Sequence, residues 1–235
     1  MRSTQPAPGD PRAAPDDPLA HIEPRWPVAA AISIFIFLTL FLRAIEPERQ
    51  SLGPRWLIPL AEVVMLVLLL LAEPTRLPAR RPWLRPVALA TVSLVALAVF
   101  ASTLKLIAEL IEGGKATNSA STLLASGFLI WLGNVLVFGL LYWMLDSGGP
   151  VARYLHERPY PDFAFAQQLS PELAPPGWLP TYVDYLVLGL TTSTAFSPTD
   201  VMPMRAWAKL TMAAQSIISL AVIGLVIARA VNIFG

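Results

Sequence analysis

Residues Tyr182–Pro203 read YVDYLVLGLTTSTAFSPTDVMP, and a long apolar helix follows directly. The order is a short helix, a polar dip of Thr, Ser and Pro, an Asp, and then a membrane-length segment. Thr181 can cap the short helix, with Pro180 before it and Asp184 three residues later, a capping box with Asp in place of Glu. From Tyr182 the helix is too short, and from Thr191 to Thr194 too polar, to span about 30 Å of hydrocarbon. A hairpin that enters the bilayer and turns back is the better reading. Non-helical backbone is tolerated at that depth only inside protein or along a wet cavity, so the stretch points to a pore.

The rest of the chain agrees with a membrane setting. Of 235 residues, 55% are hydrophobic and only 14% charged, against roughly 25% charged in a soluble domain. A net charge of +1 argues against nucleic acid as a partner. Without Cys there are no disulfides or thiolate metal sites, and His21 and His156 lie far apart in sequence. No HExxH, GxSxG, Walker A or GxGxxG pattern occurs, so neither a catalytic residue nor a cofactor or metal site is expected. Asp146, Asp162 and Glu172 share one polar loop but lack a His partner.

Five stretches are about long enough to span: Trp26–Ile45, Trp56–Ala72, Pro86–Ile111, Ser121–Leu145 and Trp207–Phe234. Trp26, Trp56, Trp83, Tyr142, Trp143 and Trp207 fall at segment ends, as an aromatic belt requires. The expectation is an all-α integral membrane protein of about five transmembrane helices plus one re-entrant pore-type helix. Residues 1–25 read as a disordered tail and not a signal peptide. Residues 26–112 form a three-helix membrane region, and 121–235 a two-helix pore-like module. Within that module, 146–180 is a cap loop with many apolar groups and 181–203 is the re-entrant segment. The cell membrane, inner or plasma, is the expected location.

The dip resembles potassium-channel pore loops of the pattern F-x-D-x-L-Y-F-S-x-x-T-x-T-T-V-G-Y-G-D-x-x-P. The alignment is gapless, with Tyr182, Asp184, Leu186, Gly189, Thr192, Thr194, Asp200 and Pro203 at matching positions. The resemblance covers Pro180 to Val231, with Ser121–Leu145 as outer helix. It implies a homotetramer, because one pore loop per chain cannot enclose a pathway, and monovalent ions as what passes. The chain is also similar to a family of multi-pass bacterial membrane proteins without assigned biochemistry. The shared motifs are Y-W-x-L-D-x-G-G-P (142–150), P-D-F-x-F (161–165) and T-A-F-S-P-T-D (194–200).

Where the potassium pattern has T-V-G-Y-G, this chain has Ala195, Phe196, Ser197, Pro198 and Thr199. Glycines let successive carbonyls turn to one axis, whereas Pro198 fixes φ near −65°. A wider constriction lined by hydroxyls, with a ring of Asp200 carboxylates, would favour cations without separating potassium from sodium. Asp200 equally suits an N-cap or turn before the last helix. Thr211, Gln215 and Ser219 share one face of that helix, lining a cavity or bonding neighbouring helices. Gly224 suits a bend or a close helix contact. Phe196 and Pro198 also suit a plugged, non-conducting scaffold that retains the fold.

Charge placement opposes an outward-facing dip. The positive-inside rule puts Arg2, Arg12, Arg25, Arg76, Arg80, Arg81, Arg85, Arg153 and Arg158 in the cytoplasm. Either the dip is then entered from the cytoplasm, or it is a full sixth span, or the charge rule does not hold for this chain.

Overall fold

The computed structural model describes residues 26–45, 84–112, 120–194 and 200–234, together with Leu60, Val63, Val64 and Val67 in helical backbone. Its elements are α1 (Trp26–Ile45), α2 (Leu84–Glu112), α3 (Ala120–Leu145), α4 (Pro150–Tyr154), β1 (Phe163–Ala164), α5 (Ala166–Leu169), α6 (Tyr182–Thr194), β2 (Met202–Pro203) and α7 (Ala206–Phe234). Two 3-10 turns, Asp146–Gly148 and Pro171–Leu173, complete the described chain.

The molecule is mostly helical, and three of its described helices are long and apolar enough to cross a membrane: Pro86–Ala108, Ser121–Gly148 and Ala206–Ile233. Three of the five expected spans, Pro86–Ile111, Ser121–Leu145 and Trp207–Phe234, correspond to these helices. In α1 the apolar stretch, Trp26–Phe41, is shorter, and the stretch 56–72 falls outside the described residues except at the four positions above.

α3 is the hub, packing against α1, α2, α6 and α7. Its sequence is apolar all round, which suits a helix surrounded by others. Three glycines open it to three neighbours. A Cβ on Gly127 would lie 2.7 Å from a Val226 methyl of α7, and one on Gly133 3.0 Å from the Phe35 ring of α1. One on Gly139 would lie 3.2 Å from the Leu186 Cα of α6. Six residues turn a helix by about 240°, so successive glycines at this spacing face directions about 120° apart. Each glycine admits one helix.

α6 and α7 both run antiparallel to α3. Along α6, Tyr182 meets Trp143, Leu186 meets Gly139 and Gly189 meets Val135. Along α7, Gln215 bonds Tyr142, Ser219 bonds Asn134 and Val226 touches Gly127. α6 has 13 residues, about 20 Å of helix, and ends five residues past the Gly189–Val135 contact. By Met202 the chain is back at the α3 C-terminus, where β2 pairs antiparallel with β1. The Met204 amide then bonds the Asp162 carbonyl at 2.8 Å. Thus α6 begins, and the segment after it returns, at one end of α3.

The cap, 146–180, is built on aromatic packing. Phe163 is fully buried against the rings of Tyr142, Trp207 and Tyr185, with centroids 5.1, 5.5 and 6.5 Å away. Phe165 packs on Tyr185 and Trp178. Tyr160, Leu169 and Leu173, also apolar groups of this loop, are exposed.

Candidate functional site

The polar groups of the described chain gather in two layers on α3. The upper layer is at its C-terminus, where the motif D-S-G-G-P folds into a tight reversal. Ser147, Gly148 and Gly149 all have positive φ, at 54°, 87° and 98°. Glycine adopts this region without steric cost. At Gly149 a side chain would also meet the Met144 carbonyl, its Cβ 3.0 Å from that oxygen. Pro150 then opens α4 at a position where no N–H is needed. The reversal swings Arg153 beneath the end of α3, where Nη1 donates to the carbonyls of Trp143 (2.6 Å) and Asp146 (3.0 Å). These are carbonyls that a helix end leaves without partners.

Asp146 is completely buried. Its Oδ1 accepts from the amides of Asp162 (2.9 Å) and Phe163 (3.2 Å) and from the Ser147 hydroxyl (3.1 Å). Its Oδ2 accepts from the Tyr185 hydroxyl of α6. Asp162, also buried, accepts from the Ser147 amide at 2.9 Å. It pairs with Arg158 (3.6 Å) and with Arg205 just before α7 (3.2 Å). Arg153 lies 4.9 Å over the Tyr185 ring. The acids of the first two motifs are thus one latch joining α3, the cap, α6 and the start of α7. Their oxygens are occupied by donors, so the arrangement orders backbone; it presents no free carboxylate for acid–base work. Among the described residues no group of three His, Asp or Glu side chains could hold a metal.

The lower layer lies within the membrane-length apolar stretches of α3 and α7. Gln215 is buried and fully engaged: its Oε1 accepts from Tyr142 at 2.6 Å, while Nε2 donates to the Gly189 carbonyl (2.9 Å) and the Ser193 hydroxyl (2.7 Å). One turn on, Asn134 Nδ2 donates to Ser219 at 2.9 Å. The Ser216 hydroxyl donates to the Thr192 carbonyl at 3.0 Å, satisfying one of the last carbonyls of α6.

The residues singled out in the sequence are distributed as follows. Thr181 and Asp184 meet at the start of α6, where Asp184 Oδ2 accepts from both the Thr181 amide (2.7 Å) and its hydroxyl (2.8 Å). Thr192 is buried at the α6 end, and Thr194 bonds back to the Thr191 carbonyl. Ala195, Phe196, Ser197, Pro198 and Thr199 lie outside the described residues. Asp200 is exposed and precedes β2, so it does not cap α7. Gln215 and Ser219 turn inward to α3 and α6, whereas Thr211 bonds its own helix at the Trp207 carbonyl. A Cβ on Gly224 would meet nothing within 4 Å, so no close contact within the chain requires that glycine.

Sequence reading named neither Arg153 nor Arg205 as part of a site, and treated Asp146 and Asp162 only as isolated loop acids. One local signal was present: an Asp directly after a long apolar helix and before Gly-Gly-Pro. Against known protein families, curated proteins and solved structures, the chain finds no match.

Proposed function

We propose that the chain is a pore-loop membrane protein of the cell membrane, conducting cations with weak selectivity through a homotetramer. One observation carries this reading: a helix of about 20 Å starts at the end of α3 to which β2 returns. With α3 and α7 spanning on either side, that path is a re-entrant hairpin, and α6 is too short to cross. The last turn of α6 then ends at membrane depth, where non-helical backbone needs either protein cover or water. A ring of four copies supplies both. Asp200, exposed on the returning limb, supplies the negative ring that favours cations.

Flux assays on the purified chain in lipid vesicles test the proposal. The expected result is potassium and sodium flux of similar size, little chloride flux, and loss of cation preference in Asp200→Asn. Silence under every gradient would reject conduction, and a monomer by mass measurement in mild detergent would reject the pore.

A second reading, a non-conducting scaffold with the same fold, is favoured by one feature of α7. Its mid-helix polar side chains Gln215 and Ser219 are consumed inside the protomer. The face left exposed carries Leu210, Ile217, Leu220, Ile227 and Val231. Such a face suits dry helix packing or lipid. The same vesicles distinguish the two readings: a tetramer without flux supports the scaffold.

A further inference from the structure

We propose that the cleft between the cap and the start of α7 binds the headgroup of an anionic phospholipid. This inference rests on α7 spanning the membrane and is independent of whether the chain conducts.

The cleft, about 660 Å³, is lined chiefly by Tyr160, Gln168, Leu169, Met204 and Arg205. Its depth follows from the sequence. Arg205 immediately precedes Ala206, the first residue of the apolar span Ala206–Ile233, so the cleft floor lies at the boundary between hydrocarbon and water.

Its charge follows from the latch. Asp162 offers one carboxylate to two guanidiniums, Arg158 on Oδ2 and Arg205 on Oδ1. The carboxylate is 2% exposed, whereas the two arginine side chains are 46% and 55% exposed. One negative charge therefore orients two cations and leaves a positive surplus at the surface. Lys209, exposed one turn along α7 from Arg205, adds to it. Arginine presents a planar fork of donors that matches phosphate oxygens, and basic pockets at membrane boundaries recruit acidic headgroups.

The apolar wall selects lipid over a soluble anion. Tyr160, Leu169 and Met204 are each more than half exposed. A free phosphate would engage the guanidiniums and leave these groups in water. A phospholipid covers them with its glycerol and upper acyl carbons while its phosphate meets Arg205.

The test uses the full chain in neutral detergent, stripped of co-purified lipid, with thermal unfolding as the readout. Phosphatidylglycerol is expected to raise the midpoint saturably, and phosphatidylcholine or inorganic phosphate at equal concentration to leave it unchanged. Leu169→Glu is the deciding variant, because Leu169 is exposed and takes no part in the hydrogen bonds or ion pairs given above for Asp162. It should weaken phosphatidylglycerol binding about tenfold while keeping the unliganded midpoint. Arg205→Gln should weaken it as well. Equal stabilisation by phosphatidylcholine, or binding indifferent to Leu169→Glu, would overturn the proposal. Stabilisation by inorganic phosphate that is lost in Arg205→Gln would overturn it too, in favour of a soluble-anion site.

Discussion

The Tyr142 hydroxyl donates to Gln215 Oε1 at 2.6 Å, joining α3 to α7 inside the bilayer-length part of the molecule. Through its amide nitrogen Gln215 also reaches Gly189 and Ser193 of α6. One side chain thus closes a three-helix junction where no water competes.

Replacing Gln215 by Leu keeps the volume and removes all three bonds. Hydrogen bonds between membrane helices average about 0.6 kcal/mol each, so a loss of about 2 kcal/mol is expected. Chemical unfolding in mixed micelles measures it. The double variant Tyr142→Phe/Gln215→Leu should cost less than the sum of the singles, since the first bond is shared.

The latch at Asp146 should be more sensitive. Asp146→Ala strands two buried amides and two hydroxyls at once, while the Arg153 bond to the Asp146 backbone carbonyl remains. A buried donor left without its acceptor costs about 1–3 kcal/mol, so several lost at once should cost more than the Gln215 change. Asp146→Asn preserves the shape but gives up the charge, and should lie between wild type and Ala. Thermal unfolding of the three proteins in one detergent ranks them, and an Ala variant as stable as wild type would refute the latch.

Two glycines should behave in opposite ways. A Cβ at Gly189 would lie 2.9 Å from the Val135 carbonyl and 3.3 Å from the Gly139 amide nitrogen, so Gly189→Ala must push α6 off α3. Overpacking of this kind costs about 1–3 kcal/mol. Gly224→Ala meets open space and should leave unfolding of the isolated protomer unchanged or slightly improved. If Gly224→Ala instead breaks the assembled oligomer, read by mass in detergent, then that glycine is a contact between copies.

Trypsin reports on the cap. Arg153 is buried and held by the end of α3, so the bond after it should resist cleavage in the intact protein. Phe163→Ala removes the ring at the centre of the aromatic cluster and should cost about 3–5 kcal/mol. In that variant, cleavage after Arg153 and Arg158 should become rapid.

The helices were legible because long apolar runs have few alternatives. The runs that became α2, α3 and α7 contain almost no charge, and the capping pair Thr181 and Asp184 marked where α6 starts. The shared face of Gln215 and Ser219 was equally plain from their four-residue spacing. Periodicity could not say which neighbour that face meets, since a polar face suits a wet cavity or another helix equally well.

Tertiary structure decided that question, and it decided the latch. Asp146 and Asp162 stand sixteen positions apart across a proline-rich loop, and nothing in their spacing pairs them. They meet because Ser147, Gly148 and Gly149 reverse the chain with positive φ, while Phe163 buries its ring between Tyr142 and Trp207. Local composition fixed which segments leave water, since transfer of apolar side chains is nearly additive along a chain. Which polar groups then find each other depended on three-dimensional closure, because a buried hydrogen bond exists only when both partners arrive.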